Sequence, residues 1–106
     1  MDQPSAIDAF SALAHDTRLE IFRLLVQRGP KGTPAMEVGR LLDIKPSTLS
    51  GHLATLKRAG LVSTERHHRE IQYAPRFDAV NGLVRFLLTD CCGSDESACA
   101  GIDLPD

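Results

Sequence analysis

Asp43-Ile44-Lys45-Pro46-Ser47-Thr48-Leu49-Ser50-Gly51-His52-Leu53-Ala54-Thr55-Leu56-Lys57-Arg58-Ala59-Gly60 is the stretch that decides how this chain is read. Asp43-Ile44-Lys45 is a short turn. Pro46 takes a first-turn helical slot, where its missing N–H costs nothing, and Gly60 closes the helix after Ala59. At about 100° per residue, Leu53 and Leu56 fall close to Leu49 and form a buried stripe. Ser47, Ser50, Gly51, Ala54 and Arg58 fall opposite, with Thr48 and Thr55 on the flank. That outer face is small and polar. A major groove about 12 Å wide accepts a helix that approaches closely. Short hydroxyl side chains near the N-terminus then reach base edges or phosphates. Gly51 weakens the helix, and close backbone approach is a reason to tolerate it. His52, at the edge of the stripe, reads equally as a packing residue and as a DNA contact.

Upstream, residues 5–14 read as a helix capped by Ser5, with Ile7, Phe10, Leu13 and Ala14 at helical spacing. Asp16 starts a second helix faced by Leu19, Phe22 and Val26, with Ile21 and Leu25 beside them, and Gly29-Pro30 ends it. Thr33-Pro34 reads as a cap and first helical residue for a third helix, whose apolar face is Val38, Leu41 and Leu42. From Leu61 the period falls to two. Residues 61–66 and 70–74 read as antiparallel strands joined at His67-His68-Arg69, and Pro75 ends the ribbon. Asp78 is placed to cap a fifth helix with Val80, Leu83, Val84, Leu87 and Leu88 on one stripe. The expected fold is mainly α with a small β-ribbon (α+β). It is a winged helix-turn-helix of five helices and a two-stranded wing, spanning residues 1–92. Residues 93–106, poor in apolar groups, are expected to be a flexible acidic tail.

The 106 residues carry 12 Lys and Arg against 14 Asp and Glu. Residues 90–106 hold five acids and no base, whereas residues 45–76 hold six bases against Glu65 and Glu70. A local basic patch on a near-neutral chain suits a polyanion, and Arg66 and Arg69 flank the ribbon tip where phosphates would lie. No apolar run exceeds three residues, which excludes a membrane-spanning helix. The N-terminus has no secretory pattern, so a cytoplasmic protein is expected. An enzyme is not: a small thiol enzyme would need an anion cradle or a Cys-x-x-Cys at a helix start. A winged helix that binds only proteins is the remaining alternative.

Leu13-Ala14-His15-Asp16-Thr17-Arg18-Leu19-Glu20-Ile21, Ser47-Thr48-Leu49-Ser50-Gly51-His52-Leu53 and Arg58-Ala59-Gly60-Leu61-Val62 resemble the ArsR/SmtB family of metal-responsive repressors over residues 5 to about 92. His67-His68 departs from the Glu-Gly turn common in that wing. The resemblance implies a homodimeric repressor that binds operator DNA without a cofactor and leaves it when an inducer binds. One family sensor site uses Cys-x-Cys before the recognition helix, but residues 33–42 contain no Cys. Another uses Asp and His at the start of the last helix with His or Glu along it. Asp78 is present, but residues 77–92 have neither His nor Glu. Cys91, Cys92 and Cys99 resemble the cluster of some arsenic-responsive members.

Soft thiolates select thiophilic ions. Three sulfurs suit As(III) or Sb(III), whereas zinc wants a fourth ligand. Methylated trivalent arsenic, Cd(II) and Pb(II) are alternatives, as are a thiol redox switch and incidental thiols. Cys91 and Cys92 point about 100° apart on a regular helix, so shared chelation needs the helix to end near Gly93. The last helix is apolar over a wide stripe. Ile7, Phe10, Val80, Leu83, Val84 and Leu87 are therefore expected at a homodimer interface, presenting two recognition helices to a palindromic operator.

Overall fold

The computed structural model describes residues 1–88. Its elements run α1 (Gln3–Leu13), α2 (Asp16–Arg28), β1 (Thr33–Pro34), α3 (Ala35–Leu42), α4 (Pro46–Arg58), β2 (Val62–His67), β3 (Glu70–Pro75) and α5 (Phe77–Leu87). Helices α3 and α4 form the helix-turn-helix and β2–β3 the wing, as expected. The boundary expected after residue 92 lies outside the described residues.

Ile21, Leu25, Val38, Leu53, Leu56 and Leu61 are fully buried, so α2, α3, α4 and the approach to the wing share one core. Truncating one such leucine to alanine costs about 2–5 kcal/mol. On α2 the buried face is Ile21, Phe22 and Leu25, while Leu19 and Val26 stay exposed. The expected face was rotated, because α2 packs between helices and sheet rather than on one partner. On α1 the buried residues are Ala6, Ala9 and Ala12, whose small side chains let that helix sit close. Ile7 and Phe10 point outward.

The helix caps differ from expectation. Asp2, not Ser5, caps α1: its carboxylate accepts the Ser5 N–H at 2.8 Å. That bond holds the Asp2 carboxyl below its ordinary range. Thr33 and Pro34 do not open α3. They form β1, paired antiparallel with β3 at Thr33↔Tyr73 and Pro34↔Gln72. The wing thus belongs to a three-stranded sheet of order β1-β3-β2. Thr33 is buried, which its β-branched side chain suits. Asp78 lies inside the first turn of α5 rather than at its cap. It accepts from Arg76 Nη2 at 2.8 Å, which keeps its carboxyl below the ordinary range. The wing strands pair from Val62↔Pro75 to His67↔Glu70, so the tip is His68-Arg69 alone. His68 there takes a left-handed φ of 59°.

The turn between α3 and α4 is closed by Gly39. Asp43 ends α3 in the left-handed region, φ 54° and ψ 54°, and the Ile44 N–H donates to the Gly39 carbonyl at 2.9 Å. A Cβ on Gly39 would stand 3.0 Å from the Ile44 carbonyl oxygen and 3.3 Å from Leu49 Cδ2. The turn backbone and the first buried leucine of α4 therefore occupy the space a side chain would need. Gly39→Ala is expected to lower stability by about 1–3 kcal/mol in urea unfolding. Gly82→Ala in α5 is the control: its Cβ would meet only Met1, at 3.5 Å or more, so no loss is expected there.

Candidate nucleic-acid interface

Leu49, Leu53 and Leu56 turn one side of α4 into the core. Ser47, Thr48, Ser50, Gly51, Ala54 and Arg58 are exposed on the rest of its surface. A Cβ on Gly51 would meet nothing within 4 Å, so nothing inside this protomer demands glycine there. The Thr55 hydroxyl donates to the Gly51 carbonyl at 3.1 Å and is thus satisfied within the helix. At the other end, Lys45 occupies the N-cap position without a side-chain hydrogen bond. The first-turn amides therefore lack a side-chain cap, and the positive end of the helix dipole faces the same way. That arrangement favours a phosphate group.

His52 is half-buried, its ring 4.9 Å from that of His15. Burial, followed by the charges of His15 and Arg18, pushes its pKa below the ordinary 6.5. His15 itself precedes α2 and accepts the Thr17 N–H at Nδ1, 3.2 Å. The two imidazoles fill the seam between the start of α2 and the middle of α4. The sequence showed His15 only as part of a motif. Its capping and packing roles depend on α4 lying alongside.

On the wing, Arg66 and Arg69 are exposed and have no ion-pair partner among the described residues. Glu65 lies 3.3 Å from His67 Nε2. Glu37 on α3 is held by Arg28 at 2.5 Å, which neutralises the one acid of α3. The free charge on α4 and the wing tip is thus dominated by Lys45, Lys57, Arg58, Arg66 and Arg69.

Ile7 on α1 is 57% exposed and Leu87 on α5 60%, and Phe10, one turn after Ile7, is exposed as well. Val80 and Val84 are half-buried. Leu83, expected on the same pairing stripe, is only 5% exposed and belongs to the protomer's own core. Met1 and Phe77 are further exposed apolar residues that the sequence reading missed. The Met1 methyl lies near the Gly82 position of α5, so the chain start and α5 are neighbours. Cys91, Cys92 and Cys99 lie outside the described residues. Among the described residues, no group of three or more His, Cys, Asp or Glu could hold a metal ion. No described helix is long and apolar enough to cross a membrane.

A sequence family described as a helix-turn-helix domain matches residues 13–65. The chain is 33% identical over 81 residues to the HTH-type transcriptional regulator YgaV of Escherichia coli, covering 76% of this chain and 80% of that protein. It is 36% identical over 83 residues to the arsenical resistance operon repressor of Bacillus subtilis, covering 78% and 75%. Among solved structures, an ArsR-like transcriptional regulator from Rhodococcus superposes with a TM-score of 0.76 at 27% identity, covering 92% of this chain and 89% of that one. A homodimeric winged helix-turn-helix DNA-binding domain from Mycobacterium bovis superposes with a TM-score of 0.67 at 25% identity, covering 84% and 82%. This chain belongs to the ArsR family of winged-helix transcriptional regulators.

Proposed function

We propose that this regulator binds a palindromic operator as a homodimeric repressor, and that As(III) or Sb(III) captured by Cys91, Cys92 and Cys99 releases it. The observation that carries the DNA reading is the outer face of α4: small, polar and exposed, with an uncapped N-terminus and basic residues around it. In this reading Ser47, Thr48, Ser50 and Gly51 enter the major groove. Arg58, Arg66 and Arg69 hold phosphates, and His52 sets the seating of α4 from behind. Likeness to an arsenical resistance repressor and the three thiols support the inducer. Each thiol exchanges its proton and one hydroxide of arsenous acid for an As–S bond and a water. Three such exchanges satisfy the ion, which keeps its lone pair and needs no fourth ligand.

Exposure of Ile7, Phe10 and Leu87 supports the proposed partner face. Ile7, Phe10 and Leu87, together with Val80 and Val84, cover apolar surface that a second copy removes from water at about 25 cal/mol per Å². Capture of an ion just beyond α5 then acts on the angle between protomers, with a coupling of about 1–3 kcal/mol.

Three outcomes are expected. Gly51→Ala raises the stability of the free protein by about 1 kcal/mol, because its Cβ meets nothing. It lowers operator affinity in fluorescence anisotropy, because that Cβ stands between α4 and the groove. An alanine variant with undiminished affinity removes Gly51 from the interface. Leu87→Asp, at a position open to solvent in the protomer, gives folded monomers in analytical ultracentrifugation. Folded dimers of that variant place the interface elsewhere.

Serine at Cys91, Cys92 or Cys99 leaves operator binding intact and sharply weakens release by arsenite. Release that survives loss of Cys99 alone indicates a methylated arsenical held by Cys91 and Cys92. Release that survives loss of all three removes the cluster as sensor. X-ray absorption at the arsenic edge checks the same point, with three sulfurs expected in the first shell.

A further inference from the structure

A cavity of about 400 Å³ opens between α3, α4 and β3, and of its lining only Ser50 is given a DNA-facing role above. Its size falls within the range of about 300–1,000 Å³ typical of small-molecule sites. Gly39, Ile44, Leu49 and Leu53 give it apolar walls, and Met36, 82% exposed, stands at its edge. Arg40, Ser50 and Tyr73 supply the polar side-chain groups, and Arg40 is the one charged residue of the lining.

Arg40 has donors to spare. Its Nη2 lies 3.8 Å from Glu37 Oε1, an oxygen that Arg28 already holds at 2.5 Å. The Arg40 side chain is 70% exposed. A planar guanidinium at the rim of an apolar cavity matches a carboxylate attached to an apolar body. The lining contains no Cys, His, Asp or Glu, so it offers a metal ion no ligand set. A dianion is disfavoured, because one guanidinium balances one charge and a shallow neighbouring hollow brings Glu37 and Glu70 close to Arg40.

We propose that this cavity is an effector site for a small organic monocarboxylate with an aliphatic or aromatic tail. The carboxylate sits on Arg40 and the tail lies against Ile44, Leu49 and Leu53. The cavity also shares Pro46 and Ser50 with the start of α4. Occupancy therefore bears on the operator-facing helix and weakens DNA binding. This last step rests on the docking of α4 proposed above; the binding step does not.

The test uses the full-length protein, with octanoate as the probe and octanol as its neutral counterpart. Tyr73 is the chain's only tyrosine, and Met36 is one of two methionines, so both give assignable NMR signals. Octanoate is expected to shift the Tyr73 ring and Met36 methyl resonances with one saturable isotherm. Arg40→Gln is expected to weaken octanoate by about tenfold and to leave octanol unchanged. In anisotropy, saturating octanoate is expected to weaken a selected operator duplex by about 5-fold or more. Absence of saturable shifts at Tyr73 and Met36, or equal octanoate binding by the Arg40→Gln protein, overturns the site. So do shifts confined to the Ile7, Phe10 and Leu87 face. Octanoate binding without any change in operator affinity overturns the effector role. A protein that binds no duplex at all instead overturns the docking of α4 while the NMR result stands on its own.

Discussion

Leu49, Leu53 and Leu56 fix the rotation of α4 about its own axis, and the chemistry this chain presents to DNA depends on that rotation. Burying each leucine is worth about 1.5–3 kcal/mol, and the three lie on one stripe. Rotating α4 by a single residue, about 100°, would bring polar side chains into the core and leucines into solvent. Gly39 sets the second coordinate: it lets the Ile44 carbonyl and Leu49 come close to α3. Rotation and separation together hold the small-residue face outward.

The helix so held is weak by its own propensities. Gly51 sits in its interior, Lys45 gives no side-chain cap, and the Thr55 hydroxyl bonds back onto the chain. Each feature costs an isolated helix stability. Tertiary packing on α2, α3 and the wing compensates. The residues that suit a helix to enter a groove are the ones that make it unable to stand alone, which explains why the core gathers behind it.

Charge is organised in the same way. The chain is nearly neutral, yet Glu37 is taken up by Arg28 while Arg66 and Arg69 at the wing stay unpaired among the described residues. A polyanion approaching α4 and the wing meets mostly positive groups at short range. Salt screens charges that lie more than about 8–10 Å from the approaching phosphates. The exposed apolar residues of the expected pairing face lie on other elements, Ile7 and Phe10 on α1 and Leu87 on α5.

Much of the fold was legible because two periodicities and a few breakers carry it. The leucine stripe of α4, its opening at Pro46, the Gly29 and Gly60 terminations and the alternation of the wing all follow from local sequence. So did most of the candidate DNA-facing residues, since the position of a side chain on a helix is set once the buried stripe is known. What local sequence could not supply was the identity of each neighbour. Thr33-Pro34 has the chemistry of a helix start, and it became a strand because the free edge of β3 lay beside it. Leu83 and Leu87 are equivalent by helical spacing, and only packing sends the first into the core and leaves the second exposed. His15 and His52 meet because α4 crosses the start of α2. The sequence alone determined which faces are apolar, which small and which basic, because those are properties of side chains and helical period. Tertiary structure decided which apolar face meets this chain and which stays open to another, because that depends on distances between elements far apart in sequence.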